Sequence, residues 1–207
     1  MMKPILALAF LAMLPFQSLA AKWQEGIHFE VVSEQATATP VVTEFFSFWC
    51  PACNAIEPMV AELKTKLTKQ GAGFEKVHVN YMGFADKETQ ELLTKGMLLA
   101  KSLGREAELN KVVFDHIHKD RKNIEGIADL RKLFVENGVD GTKFDKLIAS
   151  FGINSQLAKN NKQIDKYRSN LGGVPYFFVN GKYKATVTRD MTPDDVVELI
   201  SWLATQP

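Results

Sequence analysis

The sequence has few of the residues that cross-link small folds or bind metals, and little net charge of either sign. Its 207 residues include 2 cysteines and 4 histidines, and the formal net charge is +1. Two cysteines are too few for the disulfide framework of a small secreted domain, in which several bridges close long loops. The balanced charge argues against a basic surface for nucleic acid, so we expect no nucleic-acid partner.

The sequence also lacks apolar runs long enough to span a membrane. The run from Ile5 to Phe16 covers about 12 residues, whereas a membrane-spanning helix needs roughly 20. Lys3 precedes this run and Ser18-Leu19-Ala20 follows it, which is the pattern of a secretory signal cleaved after Ala20. A retained membrane anchor is the alternative. We therefore expect residues 1–20 to be a signal peptide that directs the chain out of the cytoplasm.

Both cysteines lie in one short segment, Cys50-Pro51-Ala52-Cys53. A bridge over two intervening residues closes almost no loop and adds little stability, so the pair is explained by its reactivity. The apolar run Val41–Trp49 predicts a buried strand before the pair, and helical spacing of apolar residues predicts a helix after it. Cys50 would open that helix, where backbone N–H groups and the helix dipole favour a thiolate. This placement predicts that Cys50 is the nucleophile and Cys53 the resolving cysteine.

Two other uses of the cysteine pair remain open at this point. A zinc site would need two further ligands, and His116 and His118 lie two residues apart on a predicted helix, so they face different ways. An inert structural disulfide is the second alternative. For these histidines, and for His28 and His78, packing or exposure is a simpler interpretation than metal binding. We expect no metal and no cofactor other than the redox-active disulfide.

The rest of the sequence predicts the order of elements around the pair. A short strand at 27–32 precedes the central strand, and another covers Phe74–Asn80. A block of helices follows, and then a hairpin with Asn180-Gly181 at its turn and a last helix capped by Thr192. This order predicts an α/β protein with a thioredoxin fold and an inserted helical subdomain. The expected divisions are residues 21–81 and 172–207 for the thioredoxin domain and residues 82–171 for the insertion.

Three motifs in order resemble the DsbA family of bacterial periplasmic disulfide oxidases, and the likeness spans essentially the whole chain after the signal. They are Thr43-Glu-Phe-Phe-Ser-Phe-Trp-Cys-Pro-Ala-Cys53, Lys76-Val-His-Val-Asn80 and Gly173-Val-Pro-Tyr-Phe-Phe-Val-Asn-Gly-Lys-Tyr183. The resemblance implies that Pro175 forms a cis-proline loop facing the disulfide, with Val174 before it. Such a loop leaves a backbone edge open to an extended substrate strand.

The resemblance also implies a charged pair, Glu44 and Lys76, beneath the active site. A carboxylate in an otherwise apolar central strand is costly to bury unless it is paired. The functional interpretation is that the pair moves protons to and from Cys53 or tunes its pKa. The alternative is a purely structural ion pair.

The chain departs from the family pattern within the active site. Family members commonly carry histidine before the second cysteine, where this chain has Ala52. Without that side chain, only the helix dipole and backbone donors stabilise the Cys50 thiolate, so we expect a weaker oxidant. We also expect Pro58 to kink the helix, and Trp49, beside the disulfide, to be partly exposed.

The resemblance implies a thiol:disulfide oxidoreductase that donates the Cys50–Cys53 disulfide to folding exported proteins in the periplasm, through a mixed disulfide at Cys50. It further implies reoxidation by a membrane quinone-linked oxidase of the DsbB type, and we expect a monomer. The alternative is a periplasmic disulfide reductase or isomerase. The presence of Ala52 in place of the family's histidine favours this alternative more than a histidine would. A third possibility, from a different class, is a binding module that holds extended peptides at Val174-Pro175.

Overall fold

A five-stranded mixed sheet forms the centre of the molecule. The structure is a computed structural model that describes residues 22–207, so the predicted signal peptide at residues 1–20 lies outside the described residues. The strand order is β1-β5-β4-β2-β3, in which β2 pairs parallel with β3 and antiparallel with β4. The strands are β1 (Phe29–Val31), β2 (Val41–Phe46), β3 (Gly73–His78), β4 (Tyr176–Val179) and β5 (Tyr183–Ala185).

Helices cover both faces of the sheet and fill the long connection between β3 and β4. A π-helical turn at Asp115–Lys119 continues α4, and a 3-10 turn at Arg168–Asn170 follows α7. No helix among residues 22–207 is both long and apolar enough to cross a membrane. The helices are α1 (Pro51–Ala55), α2 (Glu57–Lys69), α3 (Lys87–Ser102), α4 (Glu106–Phe114), α5 (Ile127–Glu136), α6 (Gly141–Ile148), α7 (Phe151–Tyr167) and α8 (Pro193–Leu203).

The alternation of side chains along β4 shows how the sheet is covered. Phe177 and Val179 point into an apolar cluster with α2 and α8, whereas Phe178 lies on the opposite face with residues of α7. This period of two is that of a strand buried on both faces. A third cluster joins Phe48, two residues after the central strand, to the interior of α3–α6. The α/β thioredoxin fold with helices between β3 and β4 is thus confirmed, while the exact domain divisions stay a prediction.

The turn and cap signals of the sequence are confirmed. Asn180 and Gly181 have φ of 54° and 66°, the left-handed backbone favoured by Asn-Gly in a hairpin turn. The register pairs Val179 with Tyr183, so Lys182 also belongs to the connection. Thr192 and Asp195 form a reciprocal capping box at the start of α8. Pro58 lies in the first turn of α2, and the chain breaks between α1 and α2 at Ile56, so the expected kink is present.

The predicted extent of the central strand was wrong. The apolar run continues to Trp49, but β2 ends at Phe46 and residues 47–50 form a turn. Ser47 causes this ending, because its carbonyl accepts the N–H of Cys50 at 3.0 Å and its Oγ accepts the N–H of Trp49 at 3.2 Å. Such local bonds compete with the sheet ladder.

Candidate active site

The turn after β2 places Cys50 at the N-cap of α1. Cys50 has extended backbone (φ −86°, ψ 112°), and Pro51 occupies the first helical position, where its missing N–H costs nothing. The sulfur of Cys50 then accepts the N–H of Cys53 at 3.1 Å. This is the bond that a serine or aspartate usually makes at a helix N-cap, so the thiol replaces the usual capping oxygen.

The two cysteines, which are free thiols in the structure, have opposite pKa shifts. The pKa of Cys50 is lowered to about 7, and the largest cause is its hydrogen bond with the Cys53 thiol. The backbone N–H groups of Cys53 and Ala52 lower this pKa further, whereas burial raises it. The same bond, followed by burial, raises the pKa of Cys53. Cys50 is 5% exposed and Cys53 fully buried. Of the two thiols, Cys50 is therefore the more easily ionised and the more exposed.

The loop before β4 lies directly against the first cysteine. The Val174-Pro175 peptide bond is cis, as the resemblance implied, and the Cys50 thiol donates to the carbonyl of Val174 at 3.5 Å. Beside this loop runs an open groove of about 430 Å³, lined in part by Tyr176 and Val187. Val174 connects the two features, because it lines the groove and its carbonyl accepts from the Cys50 thiol.

A cluster of three ionisable side chains, two of them buried, lies beneath the cysteines. Glu44 on β2 and Lys76 on β3 are register partners in the parallel ladder, and Nζ of Lys76 is 2.8 Å from Oε2 of Glu44. The same Nζ is 2.6 Å from Oε1 of Glu57, at the start of α2. The predicted Glu44–Lys76 pair is therefore present, but Glu57 was not predicted. Its spacing four residues after Cys53 was the available signal, because residues i and i+4 share a helix face.

Burial favours a proton on Glu44 despite the ammonium group beside it. Burial raises the pKa of Glu44 by more than the Lys76 ammonium lowers it. Burial by itself would lower the pKa of Lys76, but Glu44 and Glu57 together reverse this and raise it. Oε1 of Glu44 is buried and has no hydrogen-bond partner among residues 22–207. Lys76 therefore stays an ammonium ion, and Glu44 can take up and release a proton.

The structure also places the histidines and Trp49. His78 is fully buried with Nδ1 2.9 Å from Oγ1 of Thr94, and burial lowers its pKa to about 3. His118 donates from Nε2 to the carbonyl of Phe48. Trp49 was expected to be partly exposed but is only 9% exposed, because it packs in the apolar cluster with the inserted helices. Within the described part of the chain, no three His, Cys, Asp or Glu side chains form a group that could hold a metal.

Comparison with known families gives two overlapping matches. A DSBA-like thioredoxin domain matches residues 60–197, and thioredoxin matches residues 21–91. The two matches together cover both halves of the sheet and the helices between them.

Comparison with individual proteins agrees with the family matches. The thiol:disulfide interchange protein DsbA of Haemophilus influenzae is 32% identical over 195 residues, which are 93% of this chain and 91% of that protein. DsbA of Salmonella typhi is 35% identical over 187 residues, 89% of this chain and 86% of that protein. Among solved structures, Klebsiella pneumoniae DsbA superposes with a TM-score of 0.75 at 26% identity, covering 90% of this chain and all of the other. Another similar structure, of Proteus mirabilis DsbA (24% identity, TM-score 0.72), holds a non-covalently bound peptide containing one cysteine.

Proposed function

Because this chain belongs to the DsbA family and is a thiol:disulfide oxidoreductase, we propose that it oxidises exported proteins through a mixed disulfide at Cys50. The observation that carries this proposal is the opposite pKa shift of the two cysteines. A thiolate near pKa 7 is a good leaving group and stabilises the reduced enzyme, and both effects favour oxidation of the substrate.

The reaction transfers two electrons from the substrate to the enzyme in two exchanges. A substrate thiolate attacks Sγ of Cys50 in the oxidised enzyme, the Cys50–Cys53 bond breaks, and Cys53 leaves and takes up a proton. A second substrate thiolate then attacks the substrate sulfur of the mixed disulfide. Cys50 leaves as a thiolate, which the N–H of Cys53 stabilises at 3.1 Å. The products are a substrate disulfide and the dithiol enzyme.

The groove beside Val174 and Pro175 is the proposed binding site for the substrate. Its position next to Sγ of Cys50 and its open side suit an extended segment of an unfolded protein, which could pair with the backbone of the loop. The peptide held by the Proteus mirabilis protein supports this assignment. Pro51 and Ala52 complete the site, Pro51 by starting the helix and Ala52 by presenting its backbone N–H to the thiolate.

Glu44 is the proposed carrier of the proton that Cys53 gains and loses. It lies close enough for its charge to raise the pKa of Cys53, and its Oε1 is free of hydrogen bonds within residues 22–207. Replacing Glu44 by Gln keeps the shape but removes the proton site. The Glu44→Gln enzyme should resolve the mixed disulfide more slowly, with a changed pH dependence in stopped-flow assays. An unchanged rate and pH profile would leave Glu44 and Lys76 as a structural pair.

The proposed setting of this reaction is the periplasm. The signal pattern at residues 1–20 supports export with cleavage after Ala20, which N-terminal sequencing of the exported protein would test. We propose that a membrane quinone-linked oxidase of the DsbB type restores the disulfide, since each catalytic cycle leaves the enzyme reduced. The family likeness supports this partner.

Equilibration with glutathione tests the direction of the reaction. Family membership and the Cys50 pKa lead us to expect a reduction potential well above that of thioredoxin, about −270 mV. Because of Ala52, we expect a potential more negative than that of a well-known family member, about −120 mV. A potential as low as that of thioredoxin would instead favour the reductase. Rapid reshuffling of scrambled ribonuclease without an oxidant would favour the isomerase. If a variant with both cysteines replaced by serine still supported disulfide formation in cells, the oxidase assignment would be wrong.

A further inference from the structure

His118 belongs to the inserted helices but forms a hydrogen bond with the turn that carries the active site. Its Nε2 is 2.8 Å from the carbonyl oxygen of Phe48, two residues before Cys50. A carbonyl oxygen can only accept, so Nε2 carries the hydrogen in this contact. The bond therefore links the insertion to the strand-to-helix turn, across 70 residues of sequence.

Two backbone N–H groups of this turn are satisfied from within it. The N–H groups of Trp49 and Cys50 both bond to Ser47, one to its Oγ and the other to its carbonyl. The carbonyl of Phe48 instead depends on the insertion, since within residues 22–207 its hydrogen bond is the one from His118. The side chain of Phe48 is fully buried. Losing the donor would leave this carbonyl unpaired in an apolar surrounding, which buried backbone groups avoid.

The backbone around His118 departs from a regular α-helix where the contact forms. Residues Asp115–Lys119 form a π-helical turn, closed by the N–H of Asp120 bonding to the carbonyl of Asp115 at 2.9 Å. Single π turns within α-helices are rare, and many of those that occur lie at functional sites. The ring of Phe114, just before the turn, packs on the ring of Phe48 at 5.0 Å and lies 6.0 Å from that of His118. Phe114 and His118 thus contact the same residue of the active-site turn.

We propose that His118 is a positioning residue for the redox reaction, whose Nε2–H holds the carbonyl of Phe48 and thereby fixes the turn that presents the Cys50 sulfur at the start of α1. This inference rests on the proposed role of Cys50 as the nucleophile. His118 acts through the turn and does not itself contact either sulfur. The insertion thus takes part in setting the reactivity of Cys50.

The expected consequence of losing this bond is a less stabilised thiolate. Without its donor, the Phe48 carbonyl turns toward another partner, and the residues on either side of it rotate. Cys50 then leaves the extended conformation in which its sulfur accepts the N–H of Cys53. We expect the Cys50 pKa to rise by about half a unit, which at a pH well above this pKa corresponds to a roughly threefold shift of the glutathione equilibrium toward the oxidised enzyme.

Three single variants of the full-length mature protein test the proposal. His118→Leu removes the donor while keeping apolar bulk, and His118→Gln keeps an N–H donor on an uncharged side chain. His116→Leu is the matched control, because His116 lies on the same π turn and its Nε2 is 3.4 Å from the carbonyl of Asn123, away from the active-site turn. For each variant the Cys50 pKa is read from thiolate absorbance, the redox equilibrium from glutathione titration, and the melting temperature from both redox forms.

The proposal expects His118→Leu to raise the Cys50 pKa and shift the redox equilibrium, with His118→Gln and His116→Leu close to the parent protein. The proposal would be overturned if His118→Leu lowered the melting temperature of both redox forms but kept the parent Cys50 pKa and glutathione equilibrium. His118 would then contribute only to stability. Equal shifts in His118→Leu and His118→Gln would also overturn the proposal. If the parent protein itself had no reactive thiolate at Cys50, the proposed function would fail instead.

Discussion

Ala52 is the residue whose replacement most directly tests how the thiolate of Cys50 is stabilised. Its side chain is exposed at the start of α1, and only its backbone N–H acts on Cys50. An Ala52→His variant places an imidazole beside the sulfur, where a positive charge or ring N–H favours the thiolate. We expect the Cys50 pKa to fall below about 7 by roughly one unit, limited by solvent screening. In a titration at a pH well above 7, the glutathione equilibrium should then shift about tenfold toward the reduced enzyme.

The matched control for this variant is Ala61→His, which adds the same side chain at an exposed position of α2. Thiolate absorbance against pH and glutathione titration measure both variants. The control should retain the parent values. An Ala52→His protein with an unchanged or higher Cys50 pKa would contradict the view that the missing histidine weakens the oxidant.

At the scale of single residues, the sequence located the reacting pair but not all of its neighbours. Cys50 and Cys53 were predictable because spacing along one chain fixes their separation. Glu44 and Lys76 followed from the family likeness, and their contact depends on the register of two strands. Glu57 and His118 reach the site from α2 and from the π turn after α4. Glu57 had a local signal in its spacing from Cys53, whereas the His118 contact depends on how helices pack, which no local pattern encodes.

At the scale of elements, strongly patterned segments were predicted best and their ends worst. The hairpin at Asn180-Gly181 and the cap at Thr192 depend on local backbone chemistry, so the sequence alone predicts them. The end of β2 depends on whether Ser47 bonds to the sheet or to its own turn, and the apolar run to Trp49 hides that choice. The π turn at Asp115–Lys119 has no periodic signature of its own.

The contact between α3 and α5 gives a prediction at this scale. A Cβ atom added to Gly96 would lie 3.1 Å from Cδ2 of Leu130 and 3.6 Å from Cζ of Phe134, so the two helices approach closely at the glycine. A Gly96→Val variant overpacks this contact and should lose about 1–3 kcal/mol of unfolding free energy. Urea denaturation of the oxidised protein measures the loss.

Gly152 in α7 is the matched control, because a Cβ there meets no atom closer than 3.9 Å. Gly152→Ala should be neutral or stabilise the protein by about 0.5 kcal/mol, since glycine costs entropy in a helix. If Gly96→Val were as stable as the parent protein, α3 and α5 would not be held at the distance seen in the structure.

At the scale of the whole molecule, the active site joins the inserted helices to the sheet, because Val174 of its loop packs against a cluster on each side. Phe48, Trp49 and both cysteines belong to the cluster of the inserted helices, while the faces of the sheet are filled by the other two. The site is therefore supported by both parts of the chain. A change in the charge of Cys50 should consequently alter the stability of the whole fold, because the thiolate interacts favourably only in the folded protein.

This linkage predicts different pH dependences for the reduced and oxidised proteins. The pKa of Cys50 is about 7 in the folded reduced protein and about 8.5 when unfolded, so its stabilisation is lost as the pH falls through 7. The raised pKa of Cys53 removes stability only above about pH 8.5, where the unfolded chain ionises. Between pH 8 and pH 5 the reduced form should therefore lose about 1 kcal/mol more than the oxidised form.

Denaturant titrations of both redox forms at a series of pH values measure this difference. His78 contributes to both forms, because burial holds its folded pKa at about 3 and stability falls as the pH drops below about 6.5. Its effect cancels when the oxidised curve is subtracted from the reduced one. The remaining difference should disappear in a Cys50→Ala variant treated with the same reductant or oxidant. A flat difference in the parent protein, or a reduced form that gains stability on acidification, would mean that the folded structure does not stabilise the Cys50 thiolate.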